Sequence, residues 1–166
     1  KPATVSRSVA SMKAFFHYEE LEQRTSADPA FELKAPKVEK KAPTILTTEQ
    51  TNRLLAQPKD NSAKGLRDKA MLELLYATGI RVSECVGLDI TDVDFRNNGI
   101  KVHRKGGAEV VVYFGDEVRT ALLNYLEERN TIEAVEGSTN ALFLSLQKKR
   151  IGVRAVENLV KKYSKL

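Results

Sequence analysis

The chain has 166 residues, of which 42% are hydrophobic and 30% are charged, and its net charge is +5. This composition is typical of a soluble globular domain and excludes a disordered chain. No apolar run could span a bilayer and no signal peptide is recognisable, so we predict a cytoplasmic protein without a membrane partner. Cys85 is the single cysteine, and His17 and His103 lack the spacing of metal ligands, so we expect no disulfide, metal or cofactor.

The positive charge is concentrated in one segment of the sequence. Residues 148–166 contain seven basic residues and one acidic residue, a net charge of +6, so the rest of the chain is close to neutral. The seven are Lys148, Lys149, Arg150, Arg154, Lys161, Lys162 and Lys165. Such clustering is typical of a surface that binds a polyanion, most commonly nucleic acid. The alternatives are a solvated helix face and a surface for an acidic protein partner.

The first third of the chain predicts two helices joined by a linker. Residues 4–24 have the apolar spacing of an amphipathic helix, carried by Val5, Val9, Met12 and Phe16. Two prolines and four lysines make residues 34–46 an extended, basic linker. Thr47 and Gln50 have the spacing of a capping box, which predicts a helix that starts there and ends before Pro58.

Residues 71–88 form the most apolar stretch and lie at a predicted corner between two helices. The helical spacing comes from Leu66, Ala70, Leu74 and Ala77. Gly79 then predicts a left-handed helix end, followed by a short helix that begins at Arg81 and buries Cys85 as an inert thiol. An arginine at such a corner is suited to hold a phosphate or a carboxylate. The alternative is an ordinary structural ion pair with Glu84, three residues later.

Beyond this corner the hydrophobic period changes from helix to strand. Apolar residues alternate on both sides of Asn97-Asn98-Gly99, a strong hairpin signal, and a third strand over residues 110–114 follows a glycine turn at residues 105–108. We therefore predict an α+β fold, mostly α-helical, with helices around a small three-stranded antiparallel sheet.

The last part of the chain predicts two further helices. Asp116 is the expected N-cap of the first, with Val118, Leu122 and Leu126 buried. Its expected solvent-facing residues are Arg119, Glu127, Glu128 and Arg129. A short buried run over residues 141–144 precedes the second, which starts near Val153 and has a basic outer face.

Residues 65–88 resemble the first catalytic box of the tyrosine recombinases, or phage integrases, and most closely that of the Xer-type branch. The segment Thr78-Gly79-Ile80-Arg81-Val82-Ser83-Glu84 matches the family pattern Thr-Gly-(Leu/Ile)-Arg-(Val/Ile)-Ser-Glu. Lys105 follows Arg81 by 24 residues, in register with the lysine of the family's Gly-Lys-Gly hairpin tip. Arg104 replaces the first glycine of that tip, and Ala108 and Val110 stand where basic residues are usual.

The resemblance implies an enzyme that cuts and rejoins DNA through a phosphotyrosyl intermediate, without metal or nucleotide. It implies that Arg81 is a catalytic arginine on the scissile phosphate, that Glu84 supports it, and that Lys105 protonates the leaving 5′ oxygen. Double-stranded DNA and other recombinase protomers, in a tetramer on paired sites, would be the partners. Candidate DNA-binding residues are Arg104, Lys148, Lys149, Arg150, Arg154, Lys161 and Lys162.

The family's second box, His-x-x-Arg, is not present in this sequence, and none of its five tyrosines resembles the nucleophile. We therefore expect a fragment that does not cleave DNA alone. Residues 1–33 would be the last helix of the core-binding domain, residues 34–46 the linker, and residues 47–166 the first part of the catalytic domain. The alternative is a DNA-binding module or regulator derived from the family, without catalysis.

Overall fold

The computed structural model describes residues 1–39, 42, 45–59, 61–104 and 106–165. The chain forms two compact units, Lys1–Ile45 and Leu46–Leu166. Of the predicted linker, residues 40, 41, 43 and 44 lie outside the described residues, and residues 34–39 have no regular secondary structure. In the described part of the chain, no helix is both long and apolar enough to cross a membrane.

The first unit consists of helix α1, Pro2–Leu21, and the irregular segment after it. The helix starts two residues earlier than predicted and ends three residues earlier, where Gln23 adopts a positive φ of 55°. Val9 is buried, but Val5 and Met12 on the same predicted stripe are 51% and 41% exposed. Lys13 Nζ donates a hydrogen bond of 2.7 Å to the carbonyl oxygen of Phe31 and so joins the helix to the segment that follows.

In the described residues of the second unit, five helices surround a small sheet. The helices are α2, Thr48–Leu55; α3, Ala63–Thr78; α4, Val82–Gly87; α5, Asp116–Thr131; and α6, Val153–Tyr163. A 3₁₀ turn at Ile90–Asp92 leads into strands β1, Val93–Asp94; β2, Gly99–His103; and β3, Glu109–Tyr113. The strands are antiparallel in the order β1-β2-β3. The predicted fold class is therefore confirmed.

The local signals at the ends of α2 and α3 act as predicted. Thr47 Oγ1 accepts a hydrogen bond of 3.2 Å from the N–H of Gln50, whose Oε1 accepts one of 2.9 Å from the N–H of Thr47. This reciprocal pair is a complete capping box. At the end of α3, Gly79 has a φ of +63° and donates its N–H to the carbonyl oxygen of Leu75.

The core lies where α3 packs against α5, and α6, which packs against α4, contributes apolar side chains to the same cluster. Residues 141–144 are almost completely buried, as predicted, and α6 buries Val156, Leu159 and Tyr163. A charged pair lies inside this core: Asp68, 2% exposed, accepts hydrogen bonds from Arg67 Nε at 3.0 Å and from the Tyr163 hydroxyl at 3.0 Å. Arg67 also donates to the carbonyl oxygen of Leu144. The pair therefore links α3, α6 and the buried run.

Arg129 does not face water as the helical pattern predicted. Its side chain is buried, 5% exposed, and its guanidinium donates to the carbonyl oxygens of Ala141, at 3.2 and 3.0 Å, and Thr139, at 2.6 Å. These carbonyls belong to the loop that follows α5, and a buried carbonyl needs a donor. Arg129 supplies the donors for these carbonyl oxygens, so the prediction that its side chain faces solvent was wrong.

Two boundary predictions also differ from the structure. The N-cap of α5 is Gly115, and Asp116 lies in the first turn, where a carboxylate favours the positive end of the helix dipole. Gly99 is the first residue of β2 instead of part of the turn, and the hairpin turn occupies residues 95–98. Asn98 takes the left-handed conformation there, with a φ of 49°.

Candidate active site

The predicted corner between α3 and α4 places Arg81 at the N-cap of α4. Glu84 Oε2 accepts a hydrogen bond of 2.8 Å from the N–H of Arg81, and Oε1 accepts another of 2.8 Å from Arg81 Nη1. One carboxylate thus binds both the main chain and the side chain of the same arginine. The ion pair predicted from the spacing is present, and it fits both a structural and a supporting role of Glu84.

The exposure of the two partners is very unequal. The Glu84 side chain is 7% exposed and that of Arg81 is 73% exposed. Within the part of the chain that the structure describes, the guanidinium makes no second hydrogen bond. Glu84 therefore holds one edge of the guanidinium and leaves its other donors turned to solvent, where they are accessible to an anion.

An open cleft of roughly 710 Å³ lies at this corner. Its lining consists of Arg81, Ser83, Glu84, His103 and Arg104. The start of α4 supplies the first three residues, and the end of β2 with the residue after it supplies the other two. The structure therefore brings Arg104 together with Arg81 and Glu84, two predicted site residues of the preceding helix. Lys105, the predicted general acid, lies outside the described residues.

The charges in the cleft affect one another. The pKa of Glu84 is lowered from its usual value of 4.5, first by the hydrogen bond from the N–H of Arg81. Burial of the carboxyl acts in the opposite direction, and the side chain of Arg81 and the charge of Arg104 lower this pKa further. Glu84 is therefore ionised at neutral pH. The cleft combines two guanidinium groups with one carboxylate and retains an excess of positive charge.

The hairpin tip that carries Arg104 is closed by main-chain hydrogen bonds. The N–H of Arg104 donates to the carbonyl oxygen of Ala108 at 2.8 Å, and that of Gly107 to the carbonyl oxygen of Arg104 at 3.2 Å. Gly106 and Gly107 have φ values of 91° and 82°, a region that other residues rarely adopt. The predicted glycine turn is thus present in the described residues of this segment.

His103 is a member of the cleft that the motif comparison did not identify. Its Nε2 lies 3.4 Å from Asp92 Oδ1, and its Nδ1 lies 3.2 Å from Glu109 Oε1. Its pairing with Glu109 follows from the observed register of the β2–β3 ladder, in which the two residues face each other across the strands. The contact with Asp92 depends on the chain reversal at β1.

Most of the predicted DNA-binding residues lie apart from this cleft. Lys148 and Lys149 are exposed in the turn between residues 145 and 150. On α6 the exposed basic residues are Arg154, Lys161 and Lys162, opposite the buried apolar face. The basic outer face predicted for this helix is therefore confirmed, while its contact with DNA remains a prediction.

Arg150 differs from the other basic residues of its segment. Its Nη1 donates to the carbonyl oxygens of Val86 at 3.1 Å and Leu88 at 2.8 Å, and its Nη2 pairs with the carboxylate of Asp89. The guanidinium thus satisfies carbonyl groups at the end of α4. Arg150 therefore stabilises the C-terminal end of α4, and Arg81 is the N-cap at the other end of the same helix.

Cys85 is completely buried in α4, as predicted. Burial raises the pKa of its thiol to about 12, so it is not a nucleophile.

Three side chains of the first unit lie close enough together to hold a metal ion. His17, Glu20 and Asp28 offer ligand atoms within 4.8 Å of one another. The sequence pattern did not predict this group, because Asp28 follows the end of α1 and returns toward the helix.

Solved structures of recombinases share this architecture. The Tn1549 transposon integrase, in complex with transposon right end DNA, matches with a TM-score of 0.75 and 22% identity, over 98% of this chain and 59% of that one. A lambda integrase dimer bound to a core site matches with a TM-score of 0.73 and 16% identity, over 99% and 58%. XerA recombinase matches with a TM-score of 0.65 and 24% identity, over 95% and 52%. The fold is thus that of tyrosine recombinases.

The sequence comparisons are more specific. The model of the phage integrase family matches residues 44–166. Tyrosine recombinase XerC of Corynebacterium glutamicum is 38% identical over 165 residues, covering 99% of this chain and 53% of the relative. Tyrosine recombinase XerD of Staphylococcus epidermidis is 33% identical over 160 residues, covering 96% and 54%. The chain belongs to the phage integrase family of tyrosine recombinases, and it spans about half the length of the curated relatives it matches.

Proposed function

We propose that the chain is part of a site-specific DNA recombinase or integrase that cuts and rejoins DNA through a phosphotyrosyl intermediate. The observation that carries this proposal is the exposed guanidinium of Arg81, held along one edge by the Glu84 side chain, which is 7% exposed, in a cleft that also contains Arg104. A planar, fixed guanidinium with free donors matches the oxygens of a phosphodiester.

In the proposed reaction a tyrosine oxygen attacks the scissile phosphorus while the bond to the 5′ oxygen breaks. Charge grows on the non-bridging oxygens, and Arg81 stabilises it, because a guanidinium fixed in advance needs no reorganisation during the reaction. Glu84 keeps that guanidinium oriented. We assign Lys105 as the general acid that donates a proton to the leaving 5′ oxygen. The phosphotyrosyl bond conserves the free energy of the broken phosphodiester bond for rejoining.

We further propose that these 166 residues do not cleave DNA by themselves. The sequence contains no His-x-x-Arg box. The Tyr125 hydroxyl is buried and accepts the N–H of Leu144, and burial raises its pKa, which disfavours the phenolate nucleophile. The Tyr163 hydroxyl is bound to Asp68. The test is incubation of the purified chain with a nicked suicide duplex. Formation of a covalent protein–DNA complex would contradict the proposal.

The domain boundaries follow from the same assignment. Residues 1–33 would contribute to a core-binding domain, residues 34–46 would link it along the DNA backbone, and residues 47–166 would belong to the catalytic domain. In the cytoplasm the full assembly would be a tetramer on paired duplex sites. The dimer of lambda integrase bound to its core site is consistent with such assembly in a structural relative.

DNA binding by this chain is testable through its salt dependence. Neutralised phosphates release counterions, so the logarithm of the affinity for duplex DNA should fall linearly with the logarithm of salt concentration. The double substitution Lys161→Gln and Lys162→Gln should reduce the slope by about two phosphate contacts. Arg96→Gln, an exposed arginine of the hairpin turn at residues 95–98, is the control and should leave the slope unchanged. An affinity that does not depend on salt would exclude phosphate recognition.

The role of Arg81 is separable from DNA binding. In a protein that carries the nucleophilic tyrosine, Arg81→Ala should abolish cleavage while affinity for DNA stays nearly intact, because the arginine is asked to stabilise a transition state. Equal losses of affinity and cleavage would make Arg81 a simple phosphate anchor. For Lys105→Ala, cleavage should be restored by a substrate with a bridging thiolate leaving group, which needs no proton.

A further inference from the structure

His103 lies between two carboxylates that approach its two ring nitrogens. Asp92 Oδ1 is 3.4 Å from Nε2 on one side, and Glu109 Oε1 is 3.2 Å from Nδ1 on the other. His103 and Glu109 form the last residue pair of the β2–β3 ladder, immediately before the tip of the hairpin. The imidazole therefore joins three elements: the 3₁₀ turn, β2 and β3.

The second oxygen of each carboxylate has a partner of its own. Asp92 is 8% exposed, and its Oδ2 accepts a hydrogen bond of 2.8 Å from the N–H of Asp89. Glu109 Oε2 lies 3.6 Å from Lys101 Nζ. The other charged groups that share the cleft with His103 are Arg81, Glu84 and Arg104. The imidazole thus lies between two carboxylates. If either carboxylate rotated away from the ring, it would also lose its contact with the N–H of Asp89 or with Lys101.

The protonation state of the ring decides whether this arrangement is attractive. An imidazolium carries a positive charge that both carboxylates attract at these distances. A neutral imidazole carries no such charge, so the two carboxylates then no longer hold the ring electrostatically. We propose that protonated His103 is a positioning residue that fixes the hairpin tip and thereby holds Arg104 in the cleft. The consequence for DNA rests on the proposed function, whereas the ordering of the tip does not.

The ordering of the tip can be measured without DNA. The N–H of Arg104 closes the tip on the carbonyl oxygen of Ala108, so its hydrogen-exchange protection factor, corrected for the intrinsic effect of pH, reports tip opening. Between pH values of about 5.5 and 8, where histidine side chains lose their proton, we expect this protection to fall about threefold, as befits an exposed ion pair.

Substitutions identify the group responsible for the change. His103→Gln should abolish the pH dependence, since glutamine does not titrate. Glu109→Gln should reduce it as well, because an amide can pair with a neutral imidazole. His17→Gln, the other histidine of the chain, is the matched control and should behave as the unsubstituted protein. Protection that is constant with pH in the unsubstituted chain, or an unchanged fall in His103→Gln, would overturn the proposal.

The effect on DNA is measured at constant ionic strength. Duplex affinity should be about threefold higher at the acidic end of the range for the unsubstituted chain and for His17→Gln, and constant for His103→Gln. If the duplex fails to bind at any pH, the proposed function fails, and the Arg104 exchange measurement still decides the inference about His103. If the duplex binds and the affinity of the unsubstituted chain and of His103→Gln varies equally with pH, His103 does not position Arg104 for DNA.

Discussion

Gly79→Ala is the sharpest test of the helix corner. The substituted methyl group would meet no heavy atom within 4 Å, so the cost is conformational and not steric. Because φ is +63° at this position, an alanine there destabilises the folded state by about 1–2 kcal/mol through the left-handed conformation. Alanine also lowers the conformational entropy of the unfolded chain, which stabilises the folded state by about 0.4–1 kcal/mol. Urea denaturation at neutral pH should therefore show a net loss of up to about 1.5 kcal/mol.

Gly87→Ala is the matched control for this prediction. A methyl group at Gly87 also meets nothing within 4 Å, and Gly87 ends α4 without a positive φ. The change in the unfolded chain is the same for both substitutions, so it cancels when the two are compared. Gly79→Ala should be less stable than Gly87→Ala by about 1–2 kcal/mol. Equal stabilities of the two variants would refute the reasoning that the corner needs a left-handed residue.

Three other substitutions probe features of the same unit. Arg129→Met should cost about 2–3 kcal/mol in urea denaturation, because it leaves the carbonyl oxygen of Ala141 without its donor, whereas the exposed Glu127→Ala should change stability by less than about 0.5 kcal/mol. Glu84→Gln should be less stable than the unsubstituted chain at pH 7. The pKa of Glu84 is lowered on folding, so the ionised carboxylate adds to the free energy of unfolding at pH values above its usual pKa of 4.5. This stabilisation is lost as the pH falls through the lower pKa of the folded state. The melting temperatures of the two proteins should therefore converge in acid. Lys148→Asn should stabilise by about 0.5–1 kcal/mol, because Lys148 has a φ of 59° and asparagine tolerates that conformation better; an unchanged unfolding midpoint would contradict this.

Signals contained in a few adjacent residues predicted the local structure correctly. The capping box of Thr47 and Gln50, the helix end at Gly79 and the pairing of Arg81 with Glu84 each depend on groups within four residues of one another. Their geometry follows from backbone hydrogen bonding at helix ends and needs no tertiary partner. For the same reason the corner and its arginine were predictable. The family register added Lys105, and the structure shows that the residue before it, Arg104, lines the cleft.

The sequence did not predict side-chain contacts with partners in other segments. Arg129 has the helical position of a surface residue, but the loop after α5 turns its carbonyls toward the guanidinium and buries it. Arg150 belongs to a basic segment, yet its guanidinium meets the end of α4, more than sixty residues away in sequence. Helical periodicity does not report such tertiary hydrogen bonds, because they depend on how the loops return to the helix ends.

The burial of Cys85 makes the corner directly observable by chemical modification. A thiol reagent attacks the thiolate, and in α4 this thiol is both inaccessible and held in its protonated form. Because the chain has no other cysteine, every modification event reports an opening of the helix that Arg81 caps. The rate of labelling in native buffer therefore measures how often α4 opens, and a ligand bound in the cleft would be detected as protection of a sulfur atom that it does not contact.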